Sequence, residues 1–200
     1  MKKYLSFMLI FILLLTSVIP VSAENNPSPK EEVVYGILNT NGSVENLYVV
    51  NIFDGGAITD YGDYSRIRNM TTAEKLNKSG DRITINTGAG KFYYQGTLES
   101  KELPWEITIK YFLDGSEISG KDLGGKSGGL KIIVSIKQNE KQGSVFFENY
   151  ALQVTISLDN NLCQNIKTDN ATIAKAGNKE QLNYTVLPGT GADIAVTADV

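Results

Sequence analysis

Four runs of this chain alternate apolar and polar residues with a period of two, and that pattern commits them to sheets. Leu152, Val154, Ile156 and Leu158 alternate with Gln153, Thr155 and Ser157. Trp105, Ile107, Ile109 and Tyr111 alternate with Glu106, Thr108 and Lys110. Leu130, Ile132, Val134 and Ile136 alternate with Lys131, Ile133, Ser135 and Lys137, and Ile194, Val196, Ala198 and Val200 close the chain in the same way. Neighbouring side chains of an extended strand point to opposite faces, so each apolar set lies on one face of a sheet. Clusters of Gly, Asn, Asp and Pro separate the runs, and no stretch carries a long helical period. The expected class is all-β.

The first residues point to export. Lys2 and Lys3 precede an apolar run from Tyr4 to Val18, Pro20 breaks it, and Val21, Ser22 and Ala23 place small residues at a cleavage position. This is the layout of a secretory signal peptide over residues 1–23, cut between Ala23 and Glu24. The apolar run is short for a membrane span, which takes about 20 residues. Cleavage would remove two lysines and no acid, taking the net charge from −3 to −5. That balance disfavours nucleic acid and anionic membrane surfaces as partners. Cys163 is the only cysteine. No intrachain disulfide can form, so the exported chain must hold by packing, with Cys163 read as a partly buried, inert thiol.

Residues 24–30 (ENNPSPK) are polar and carry two prolines, the composition of a flexible linker. Residues 31–103 read as a small β subdomain. A hairpin over residues 31–53 turns at Asn41-Gly42, a strong turn signal, and Asp54-Gly55-Gly56 ends it. Thr71-Thr72-Ala73-Glu74 has the form of a capping box for one helical turn reaching about Leu76. Ile83 and Ile85 lie in a short strand, the run Thr87-Gly-Ala-Gly turns it, and residues 91–97 return. Residues 104–200, with six or seven strands, fit an immunoglobulin-like β-sandwich that lacks the cysteine pair of antibody domains. The chain stops inside an alternating run, as expected of a last strand or of a piece cut from a longer protein.

Residues 120–127, opening on Gly120 and closing on Ser127, match the phosphate-loop pattern G-x-x-x-x-G-K-[ST] letter for letter. A working phosphate loop needs a buried strand before it and a helix after it. Here Asp114-Gly115 sets a turn ahead of it, and Gly128, Gly129 and a strand follow, so no nucleotide is expected at Gly120 to Ser127.

The absence of histidine excludes Ser-His-Asp and Cys-His catalysis and the usual zinc sites. No Ser stands three residues before a Lys, so the Ser-x-x-Lys nucleophile is missing too. Glu106 and Glu148 read as solvent-face residues. No cofactor is expected. Calcium is the best of the remaining ions, with Asp54, Asp60 and Asp63 among glycines and Asp159-Asn160-Asn161 in an oxygen-rich turn, although these residue types also fill ordinary turns. Tyr61, Tyr64, Phe92, Tyr93 and Tyr94 are candidates for an aromatic platform that stacks on sugars or a partner.

The run Trp105-Glu-Ile-Thr-Ile-Lys-Tyr-Phe-Leu-Asp-Gly, the later Asp122-Leu-Gly-Gly-Lys-Ser-Gly, Tyr61-Gly-Asp-Tyr and Arg68-Asn-Met-Thr together carry a resemblance. They are similar to the extracellular N-terminal region of clostridial-type (Firmicutes) surface proteins that continue into Leu-x-x-Gly heptad repeats and a membrane segment. The resemblance spans most of residues 31–200 and implies a longer membrane-anchored chain; the repeats and membrane segment are absent here. It implies no functional residues. The expectation is an exported, non-enzymatic β module, secreted or on the extracellular face of the envelope, structural or binding a surface protein. The alternative is a module that binds cell-wall glycan.

Overall fold

The computed structural model describes residues 26–200. The expected signal segment and its expected cleavage point between Ala23 and Glu24 lie outside the described residues. Among the described residues no helix is long and apolar enough to cross a membrane. The chain is all-β, built of antiparallel sheets.

Strands β1 (Glu31–Leu38), β2 (Val44–Tyr61), β3 (Tyr64–Asn69), β4 (Asn77–Ser79) and β5 (Arg82–Leu98) form the first sheet. Its order is β1-β2-β5-β3, with β4 added to β5. β2 and β5 are long because two expected turns are not turns. Gly55 and Gly56 sit inside β2 at φ +75° and +85°, Gly90 sits inside β5 at φ +108°, and Gly55 pairs with Ala89. The register shifts on both sides of Gly55, so these glycines form paired bulges that bend two strands without ending them. A Cβ at Gly55 would lie 2.5 Å from the Gly88 carbonyl oxygen, a close approach open only to glycine. Phe53 and Phe92 on one side of the bend and Ile58, Ile83 and Ile85 on the other belong to one buried cluster. The sheet therefore folds over its own apolar face.

The capping-box segment is a loop and not a helical turn. Asn69 Oδ1 accepts from the Thr71 and Thr72 amides at 2.9 Å each, and its Nδ2 donates to the Glu74 carbonyl. An Asn side chain bonded to the backbone two residues ahead competes directly with helix formation.

β6 (Trp105–Leu113), β7 (Ser116–Ile118) and β8 (Gly129–Gln138) follow. A one-turn helix, α1 (Val145–Asn149), leads to β9 (Leu152–Asp159), β10 (Gln164–Thr168), β11 (Thr172–Ala176), β12 (Lys179–Val186) and β13 (Ala192–Asp199). The alternating runs at 105–111 and 130–137 pair with each other from Trp105–Gln138 to Leu113–Leu130. The second sheet runs β10-β13-β8-β6-β7 and the third β11-β12-β9. Leu130 to Ile136 on β8 and Ile194 and Val196 on β13 share one cluster with Leu158 on β9 and Leu182, Tyr184 and Val186 on β12. Two sheets with a common core make a β-sandwich. Its strand order departs from an antibody domain, where the last two strands lie side by side in one sheet. Here β12 and β13 lie in different sheets.

The Asn41-Gly42 turn joins the first sheet to this sandwich. The Ile109 amide donates to the Asn41 carbonyl at 3.2 Å. Gly42 has φ +94°, and a Cβ there would lie 2.3 Å from the Ile107 carbonyl oxygen. Gly56 has a similar φ, with nothing near its absent Cβ. Gly42→Ala is expected to cost strain plus a steric clash, about 2–3 kcal/mol, and Gly56→Ala strain alone, about 1 kcal/mol. Urea midpoints of the two variants check this, and equal shifts would contradict it.

Candidate functional site

In an alternating strand, a polar residue at an inward position must find a partner or leave the core. β2 carries two. Asn51 lies between Val49 and Phe53 on the buried face, and Asp60 follows Ile58 on it; their exposures are 0% and 1%. The partner of both is Lys30, just ahead of β1. Its Nζ lies 2.9 Å from Asp60 Oδ1, 3.1 Å from Asp60 Oδ2 and 3.1 Å from Asn51 Oδ1. Glu32, about half exposed, adds a contact at 2.7 Å. The expected flexible linker is thus fastened at its end: the Ser28 amide also donates to the Thr59 carbonyl at 2.7 Å, and the Thr59 amide to Ser28 Oγ at 3.1 Å.

Two tyrosines complete the cluster. The Tyr94 hydroxyl donates to Asp60 Oδ2, and Asn51 Nδ2 donates to the Tyr64 hydroxyl at 3.2 Å. The Tyr94 ring stacks on Phe53 at 6.0 Å and meets Tyr64 edge-on at 6.2 Å. Among the described residues no buried side-chain polar atom lacks a partner.

The electrostatics share one direction. Burial drives the Tyr94 phenol far above its ordinary range, and its hydrogen bond to Asp60 adds to that. Burial raises Tyr64 against the opposing bond from Asn51. Burial pulls Lys30 down, but its bonds to Glu32 and Asp60 outweigh that and the net direction is up. All three groups hold their protons more tightly folded than unfolded. Their contribution to stability is therefore complete below about pH 10, where the unfolded side chains begin to titrate, and is lost as pH rises further. Unfolding midpoints measured from about pH 8 to about pH 11 should fall steeply at the alkaline end, and Tyr94→Phe should flatten the fall. A flat wild-type profile would contradict the shifts.

The five aromatic candidates do not form one surface. Tyr64, Phe92 and Tyr94 are core residues of the first sheet, at 5%, 1% and 0% exposure. Strand alternation leaves Tyr93, between Phe92 and Tyr94, on the opposite face at 38%, and Tyr61 is 39% exposed. The platform reduces to those two residues. A second exposed surface is β1, the edge of its sheet, where Val33, Val34, Tyr35 and Ile37 are all exposed.

Of the acids considered for calcium, Asp54, Asp60 and Asp159 are engaged separately. Asp54 pairs with Lys91 at 2.8 Å and Asp60 with Lys30. Asp159 accepts from the Asn161 amide at 2.9 Å and from Asn178 Nδ2. Among the described residues no three His, Cys, Asp or Glu side chains converge as a metal site. At the phosphate-loop look-alike, Gly120–Asp122 is a single 3-10 turn and Ser127 leads through Gly128 into β8, so the helix such a loop requires does not follow it. Cys163 is half-buried, and burial, helped by Asp159, raises its thiol.

No family model matches the chain, and no curated protein matches it.

Proposed function

We propose that the chain is an exported, non-enzymatic β module of the cell surface that binds a partner through the edge of its first sheet. The observation that carries this is β1. It presents an eight-residue sheet edge, EEVVYGIL, with apolar side chains exposed on both faces. A long apolar edge strand offers its backbone donors and acceptors to an added strand, and the flanking side chains supply affinity. In this reading the occupant is an extended segment of another surface protein. Residues 1–23 act as the signal peptide, 31–103 as a small β subdomain, and 104–200 as an immunoglobulin-like sandwich in the architectural sense. The chain is the outer part of a longer membrane-anchored protein, as its resemblance to clostridial-type surface proteins implies.

Purified protein incubated with intact cells tests the reading. Retention that Val34→Lys abolishes, with unfolding unchanged, is the expected result. Retention indifferent to β1 but lost in Tyr61→Ala and Tyr93→Ala would transfer the function to the second reading, a wall-glycan module using the two exposed tyrosines. Sugars stack on such rings, and both rings are more than one-third exposed.

A further inference from the structure

The cluster at Lys30 brings a primary carboxamide and a carboxylate, both buried, into contact with one amine. Those are the reactants and the proton carrier for forming a secondary amide. We propose that Lys30 and Asn51 join in an intramolecular isopeptide bond, with Asp60 as the general acid–base, so that the chain cross-links itself at the start of its first sheet.

The geometry supports each role. Lys30 Nζ lies 3.1 Å from Asn51 Oδ1, the oxygen bonded to the carbon it would attack. The reaction requires Nζ to move from that oxygen to within the roughly 3–3.5 Å of a near-attack arrangement over the carbon. The same Nζ touches both oxygens of Asp60, at 2.9 and 3.1 Å. Asn51 and Asp60 are shut off from water, and Phe53, Tyr64 and Tyr94 are buried in the same core. The Tyr94 hydroxyl holds Asp60, and the Tyr64 hydroxyl holds Asn51 Nδ2, the leaving nitrogen, at 3.2 Å. Glu32 also reaches Nζ from a half-exposed position, and the transfer does not need it.

A protonated lysine is no nucleophile, so the first step is a proton transfer. The contacts to Glu32 and Asp60 hold the proton on Lys30, so the reaction runs through a minor state in which that proton passes from Nζ to Asp60, whose oxygens lie 2.9 and 3.1 Å away. The amine lone pair then forms the Nζ–Cγ bond while the carbonyl pair moves to Oδ1, which takes the Asp60 proton. Asp60 next removes a proton from Nζ and delivers it to Nδ2. The Cγ–Nδ2 bond breaks, ammonia leaves with that electron pair, and the hydroxyl at Oδ1 gives up its proton to the departing ammonia as the carbonyl reforms. One ammonium side chain and one carboxamide become one secondary amide and one ammonium ion. Asp60 ends as it began, and no oxidant or outside reagent is required. The bond would tie residues 21 positions apart and fasten the entry of β1 to the centre of β2.

The test is mass spectrometry of the intact, folded full chain, followed by tryptic mapping. The expected chain is lighter than its sequence by one ammonia, escapes trypsin after Lys30, and yields a joined peptide containing Lys30 and Asn51. Fragmentation must place the loss there, because Asn41-Gly42 could also shed ammonia as a cyclic imide. Lys30→Arg and Asp60→Asn should restore the full mass. Should a variant fail to fold, the map of the unaltered chain still decides. A free peptide ending at Lys30, with Asn51 unmodified in the folded chain, overturns the proposal. So does a join from Lys30 to Asp60, which would appear as loss of water. The outcome is independent of where the protein resides.

Discussion

Phe92→Ala should lower the unfolding free energy by about 3–5 kcal/mol, while its neighbour Tyr93→Ala should lower it by less than about 1 kcal/mol. Phe92 is 1% exposed and packs in the cluster that joins the two sides of the bent first sheet. Truncating it loses the transfer energy of the ring and leaves a cavity that a doubly bulged sheet cannot close without shifting its register. Tyr93 pairs with Ile52 on the other face and keeps more than a third of its surface in solvent. Denaturant unfolding of the two variants gives the comparison. Similar losses from both would mean that the buried face of β5 has been assigned wrongly.

In the chain before Lys30 is joined to Asn51, Asp60→Ala should cost about 2–3 kcal/mol, below the roughly 3–5 kcal/mol of a fully buried pair, because Lys30 keeps some contact with water. Its side chain is 21% exposed and that of Asp60 is 1% exposed. Removing Asp60 strands the lysine beside an apolar core and leaves the Tyr94 hydroxyl without its acceptor. At this chain length the loss corresponds to a fall in Tm of about 5–10 °C. Adding Lys30→Met to Asp60→Ala should recover part of it, since the stranded charge goes too. Strictly additive losses in the double variant would show that the two side chains do not act as a pair.

Strand alternation made most of the sandwich legible from sequence. The runs at 105–111, 130–137 and 152–158, and the run from Ile194 up to Asp199, fall in strands of the second and third sheets. The first sheet was harder to see because glycine has two uses. Gly55-Gly56 and Gly88–Gly90 read as turns, yet they face one another across the sheet as bulges, and only pairing between distant segments distinguishes the two cases. The cluster was hidden in a similar way. Lys30 ends a Pro-rich polar stretch whose composition indicates a flexible linker, and its anchoring depends on residues 21 and 30 positions away. A signal was nonetheless present on β2. Asn51 and Asp60 occupy inward positions of an alternating strand, and polar residues there imply a buried partner. The aromatic run Phe92-Tyr93-Tyr94 shows the converse, since consecutive residues of a strand cannot share a face.

The central claim, an exported surface module, is tested most directly by locating the native protein. Cells that produce it should be fractionated and blotted with an antibody raised against residues 104–200. The account predicts a product in the envelope or the medium, accessible to protease added to intact cells and lacking residues 1–23. A product confined to the cytoplasm, protected from protease and carrying an intact N-terminus, would contradict it.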